Sequence, residues 1–178
     1  ASRKEGRTTV RRWDLDYIAS STSDEWRLLS GPRPGSDGQL GCLDDMSAGT
    51  LVLWEAMDRV TAGMRKGDRK SEDAFFQVVE AIEWHLSLVF HKFLGGRDPG
   101  VRIFVEKRRL KPWDPFLQSH PATEATPPEI IPAADGPVEL QGFVLPHKDQ
   151  LTEDEVRRGG GSEGWAAHQG FYIYRGRR

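Results

Sequence analysis

Six apolar side chains, Phe75, Val79, Ile82, Leu86, Val89 and Phe93, recur at intervals of four and three residues. That spacing lays them on one face of a helix. Ser71 offers an N-cap hydroxyl, and Glu72 and Asp73 place negative charge at the positive end of the helix dipole. Gly95 and Gly96 tolerate the left-handed backbone that ends a helix. The pattern predicts one amphipathic helix over residues 71–95, about 35 Å long. An element of that length with one apolar face needs a second layer to cover it.

The rest of the sequence supplies strands for such a layer. Residues 8–18 alternate in their second half, with Trp13, Leu15 and Tyr17 on one face and Asp14 and Asp16 on the other. Short strands are expected at 25–29, 49–54 (GTLVLW), 101–106 (VRIFVE), 138–145 (ending at Pro146) and 169–175. Residues 31–38 read as a loop, 64–70 as a polar linker, 107–109 as a tight basic turn, and 120–137 as a long loop with an extended piece at 129–131. Thr152 and Glu155 stand at capping-box spacing, opening a short helix that ends at Gly159. Strands outnumber helices and do not alternate with them, so the expected class is α+β: a mixed or antiparallel sheet packed by one long helix. No internal repeat is visible.

Composition narrows the function. Net charge is -2, from 25 Lys+Arg against 27 Asp+Glu, so no global pull toward nucleic acid or anionic membrane exists. One cysteine, Cys42, excludes an internal disulfide and a multi-cysteine zinc site, and suits a reducing cytoplasmic setting. No apolar run approaches the ~20 residues of a membrane span, and the first ten residues lack the apolar core of a signal peptide. The sequence has no asparagine, a residue on which many nucleotide and metal sites depend. The final residues, 171–178, read as a strand running into a turn, as in a domain cut from a longer protein.

The motifs that could carry chemistry mostly lack their context. Gly160, Ser162 and Gly164 match G-x-S-x-G, but a nucleophile elbow needs a strand before the serine and a helix after it, and here the order is reversed. His168 is the one histidine that follows Ser162, and no aspartate does. His85 and His91 are six apart, on different helix faces, whereas zinc pairs on helices want a spacing of four. The pairs Asp14/Asp16 and Asp44/Asp45 read equally as acid–base or Mg²⁺ groups and as solvated faces. The run Gly159–Gly161 neither ends in Lys-Ser/Thr nor opens a helix, as a P-loop requires. Two basic clusters remain, the hairpin 102–111 with Arg102, Lys107, Arg108, Arg109 and Lys111, and Arg175, Arg177 and Arg178 at the end. Arg102, Lys107, Arg108, Arg109, Arg175, Arg177 and Arg178 are the candidate phosphate or nucleic-acid contacts, set against a plain solvated turn.

Taken in order, the segments resemble a known family. Residues 49–55 (GTLVLWE) resemble the Gly-Thr-x-Val strand that closes the ATP-binding domain of GHKL ATPases (gyrase, heat-shock chaperone, histidine kinase and MutL). Residues 85–90, 101–105 and 107–110 resemble the opening helix, strand and basic turn of the ribosomal-S-five-like transducer domain that follows in MutL-like and MORC-like members. Residues 113–116 (WDPF), 141–148 (QGFVLPHK) and 169–178 are similar to strings carried by bacterial MORC-like ATP-binding proteins. The resemblance runs from about residue 8 onward. It implies that residues 1–66 are the carboxyl-terminal part of a GHKL ATPase domain and 67–178 a transducer-like domain. It also implies ATP and Mg²⁺ for the full-length protein, an ATPase domain in cis, a homodimer drawn together by ATP, and an effector or DNA as the partner to which closure is relayed.

The departures concern the ATP site. The family holds Mg²⁺ with an asparagine and lines the nucleotide with Asp-x-Gly-x-Gly, and neither stands here. The transducer lysine that reaches the γ-phosphate belongs to a strand after the one at 169–175. No catalytic, cofactor-binding or metal-ligating residue is therefore assigned. The expected role is a non-catalytic relay of nucleotide-driven closure. The alternatives are a nucleic-acid or protein-binding module acting through hairpin 102–111 and, weakest, a serine hydrolase built on Ser162.

Overall fold

The computed structural model describes residues 1–22, 25–65, 67–95, 100–160 and 164–176. The chain forms two units, Ala1–Ala62 and Gly63–Arg178, dividing a few residues before the boundary drawn at 66.

In unit 1, β1 (Ser2–Lys4) and β2 (Arg7–Thr9) form a hairpin through Glu5 and Gly6, both left-handed at φ 51° and 75°. Two left-handed residues give the tight turn whose twist matches the strands. β3 (Arg11–Arg12) follows, and then the chain departs from expectation. Trp13, Leu15 and Tyr17 do not lie along a strand, because α1 (Leu15–Ser20) begins there. The Asp14 carboxylate accepts the backbone N–H of Tyr17 at 3.2 Å, so a helix cap overrides a short alternation. β4 (Leu29–Ser30) returns to pair with β3. After a 3-10 turn at Asp37–Leu43, β5 (Ala48–Thr50) adds to the free edge of β1, giving the antiparallel order β2-β1-β5. The expected strand at 49–54 pairs only at its start, and Val52, Leu53 and Trp54 are exposed. α2 (Asp58–Thr61) closes the unit. Leu43 is its buried centre, and Gly49 lies so near that a Cβ there would stand 3.0 Å from the Met46 sulfur.

Unit 2 opens on α3 (Arg69–Val89). Its N-cap is Asp68 rather than Ser71: the Ser71 N–H and hydroxyl both donate to the Asp68 carboxylate, at 3.2 and 2.8 Å. The predicted single helix over 71–95 is broken at Phe90, and α4 (His91–Leu94) continues it. The His91 Nδ1 donates to the Leu88 carbonyl at 2.7 Å, taking the acceptor that the N–H of residue 92 would use in a continuous helix. Phe75, Val79, Ile82, Leu86, Val89 and Phe93 do share one face, but all six are half-buried and none fully so.

β6 (Phe104–Val105) and β7 (Arg108–Arg109) make a two-residue hairpin that turns at Glu106 and Lys107, one step earlier than the turn read at 107–109. Glu106 adopts φ 54°, a conformation that side chains rarely take. β8 (Glu124–Ala125), β9 (Glu129–Ile131), β10 (Val138–Leu140) and β11 (Phe143–Val144) nest as one interrupted hairpin, β8 with β11 outside β9 with β10. The strand expected over 138–145 breaks at Gln141 and Gly142 because its partner carries Pro127 and Pro128, which have no N–H to give. Thr126 bridges the gap: its hydroxyl accepts the Gly142 N–H at 2.9 Å, and its own N–H donates to the Gly142 carbonyl at 2.9 Å. α5 (Glu153–Gly160) starts on the expected capping box, Thr152 N–H to the Glu155 carboxylate at 2.8 Å and Glu155 N–H to the Thr152 hydroxyl at 3.3 Å. Those bonds lower the Glu155 pKa below its usual value.

The class is α+β, but the strands of the described residues fall into five small sheets, none wider than three strands. Instead of crossing a continuous sheet, α3 rests on the strap of residues 110–116, where the Trp113 N–H donates to the Ser87 carbonyl at 3.2 Å. In the stretch that holds β8 to β11, eight prolines between 112 and 146 limit the ladders, since a proline has no N–H to donate. The last expected strand, at 169–175, makes no ladder among the described residues.

Candidate functional site

Three strings that stand far apart in the sequence, at 113–116, 141–148 and 169–178, meet on Phe116. Its ring stacks on Phe143 at 4.6 Å and 24° and meets Tyr172 edge-on at 5.1 Å. Asp114 sets the ring in place by accepting the N–H groups of Phe116 and Gln118, at 3.0 and 2.9 Å, in a side-chain-made turn. Trp113 points the other way, 8% exposed, against Trp84 of α3 at 4.9 Å and His168 at 5.3 Å. The Tyr172 hydroxyl donates to the His168 carbonyl at 3.0 Å. Tyr174 lies edge-on to His91 at 5.6 Å, under the Lys92 ammonium, which stands 3.8 Å from its ring centre. Burial, followed by the nearby Asp114 and Tyr172, pushes the Tyr174 pKa up to about 12, and burial alone raises that of Tyr172.

Among the described residues, five buried polar atoms at this junction have no hydrogen-bond partner: Trp84 Nε1, Trp113 Nε1, His91 Nε2, His168 Nε2 and the Tyr174 hydroxyl. For His91 the Nδ1 donates to the Leu88 carbonyl, while Nε2 has no partner among the described residues. His85 lies on the exposed face of α3, as its six-residue offset from His91 requires.

The basic hairpin is present but not uniformly free. Arg108 reaches back to α3 and clasps Glu83, its Nε donating to one carboxylate oxygen at 3.1 Å and its Nη2 to the other. Hydrogen bonding to Glu83 first, and its charge second, raises the Arg108 pKa further above the usual value. Nothing in the local sequence announces Glu83 as that partner. Arg102, Lys107 and Arg109 are exposed, and among the described residues no ion pair or hydrogen bond engages them. Arg175 is exposed and lines a separate cavity, while Arg177 and Arg178 lie outside the described residues.

Ser162 also lies outside the described residues, so its geometry with His168 is not part of the picture. The glycines before it have a definite job. Gly159 and Gly160 are buried under Trp165, whose Nε1 donates to the Val156 carbonyl at 3.0 Å, and a Cβ on Gly159 would penetrate the indole ring. They form a seat for a tryptophan. Asp14 caps α1, and Asp44 pairs with Arg3 at 3.1 Å, so neither acid pair is poised for shared proton chemistry. Among the described residues no group of three or more His, Cys, Asp or Glu is arranged to hold a metal, and no helix is long and apolar enough to cross a membrane.

No family model, curated protein or solved structure matches this chain.

Proposed function

We propose that the chain is a non-catalytic relay in an ATP-dependent GHKL, MORC-like assembly, with unit 1 as the tail of the ATPase domain and unit 2 as a transducer-like piece. The observation that carries this reading is surface. The chain exposes 14642 Å², whereas two separate compact bodies of these sizes would expose about 10,000 Å² together. Trp26, Val52, Phe76, Ile130 and Val144, all large apolar residues, are each more than half exposed. Isolated exposed apolar residues are ordinary; the relay reading takes the surface beyond that of compact bodies as surface that partners cover. A relay piece fits, since its surfaces are met by an ATP-binding domain and an effector. The order of the sequence strings supplies the family, and the α+β class agrees with it.

The test is to express the chain with the residues its gene encodes on both sides and follow hydrogen exchange with and without Mg-ATP. The expected result is nucleotide-dependent protection around Val52–Trp54 and Trp26, together with dimerisation. Flanks that encode neither an asparagine-bearing helix with Asp-x-Gly-x-Gly nor a following lysine strand overturn the reading.

A second reading rests on Arg102, Lys107 and Arg109, three unpaired cations on one hairpin. Under it the hairpin grips a nucleic-acid backbone. Duplex affinity would then fall with salt, and triple replacement of these residues by alanine would flatten the salt slope by about three counterions. A slope unchanged by the replacements removes this reading.

A further inference from the structure

One stretch of unit 2 is held in place without being used. From residue 171 to 174 side chains alternate out and in, as on a strand. Tyr172 and Tyr174 anchor the segment to the aromatic junction. Phe171 and Ile173 point away and are 94% and 91% exposed, the highest values of any large apolar residue described. Among the described residues, no backbone N–H or carbonyl of residues 170–175 enters a hydrogen bond. Arg175, also exposed and without an ion pair among the described residues, joins Gly176, Phe90, Phe93 and Val101 around an open cavity of about 550 Å³.

We propose that residues 170–175 are a docking strand, alongside which a partner protein adds an extended segment carrying an apolar side chain for the cavity and a carboxylate for Arg175. Unpaired backbone groups give such an added strand its affinity, while a pocket and alternating side chains give its specificity. The half-buried tyrosines fix the strand beforehand, so little ordering remains to be done on binding. Charge selects the occupant. A free guanidinium favours a carboxylate in two-pronged geometry, and the same strand of a second copy brings none, since residues 169–176 carry no acid. This inference does not depend on the ATPase reading, because peptide binding is measured on the chain alone without nucleotide.

The experiment pans a random heptapeptide display library against the whole chain, and then measures an enriched, fluorescein-labelled peptide by anisotropy. Enriched peptides should alternate apolar residues and carry one Asp or Glu. Arg175→Glu should weaken binding about tenfold or more, and so should Phe171→Lys combined with Ile173→Lys. Arg109→Glu, on the separate hairpin, should leave it unchanged. Because Phe171 and Ile173 are almost wholly exposed, the double variant should unfold thermally as the parent does, which separates lost docking from lost folding. Failure to enrich any peptide, enrichment of peptides without an acid, or equal binding to the Arg175→Glu variant overturns the proposal. So does sedimentation that shows the chain already dimeric and made monomeric by the double variant.

Discussion

Trp13, Trp26 and Trp54 of unit 1 stand 56%, 73% and 60% exposed, whereas Trp84, Trp113 and Trp165 of unit 2 are half-buried or buried. In unit 1 the edge-on contact of Trp13 with Trp26, at 5.7 Å, lies on the surface. In unit 2 each indole has a built seat: α3 against the strap 110–116 for Trp84 and Trp113, and the glycine end of α5 for Trp165. A sheet of three-residue strands cannot cover an indole, while a 21-residue helix can. The same residue type is thus a core element in one unit and an uncovered surface in the other.

The strongest way to break the contrast is substitution at Trp113. Trp113→Ala should destabilise unit 2 by about 3–5 kcal/mol, while Trp26→Ala should change stability by no more than about 0.5 kcal/mol. Urea unfolding followed by far-ultraviolet circular dichroism measures both, and equal losses would erase the distinction. Gly159→Ala comes next: its methyl would have to displace Trp165, at about 1–3 kcal/mol, with a red shift in tryptophan emission as the indole leaves its seat.

The two tyrosines sharpen the comparison inside unit 2. Tyr172→Phe loses a hydrogen bond to the His168 carbonyl and should cost about 1 kcal/mol. Tyr174→Phe removes a hydroxyl that has no partner among the described residues, so it should be neutral or stabilising. The smallest effect concerns pH. A folded-state Tyr174 pKa of about 12, against 10.0 for the free group, means that the folded chain holds this proton more tightly. Its contribution is therefore complete below pH 10, and falls as pH rises from 10 toward 12. Phenolate absorbance should show a late-titrating tyrosine that disappears in Tyr174→Phe, and the alkaline loss of stability should shrink with it.

Local chemistry was legible wherever partners lie within a few residues. The Thr152–Glu155 capping box, the apolar face of α3, the opposite placing of His85 and His91, and the extended piece at 129–131 all follow from short-range spacing. The errors share a cause as well. The alternation at 13–17 lost to the Asp14 cap, and the helix over 71–95 lost a turn to the His91 side chain, both local competitions that apolar spacing does not register. At the candidate site, the basic residues were found, but the clasp of Arg108 by Glu83, 25 residues away, was not.

The sequence by itself determined the α+β class and the long amphipathic helix, because periodicity and capping act through neighbouring residues. Only the tertiary structure decided that the WDPF, QGFVLPHK and carboxyl-terminal strings converge on Phe116, that one arginine of the hairpin is taken, and that Phe171 and Ile173 face outward. Those facts depend on which distant segments meet, and contacts between residues far apart in the chain leave no mark in local spacing.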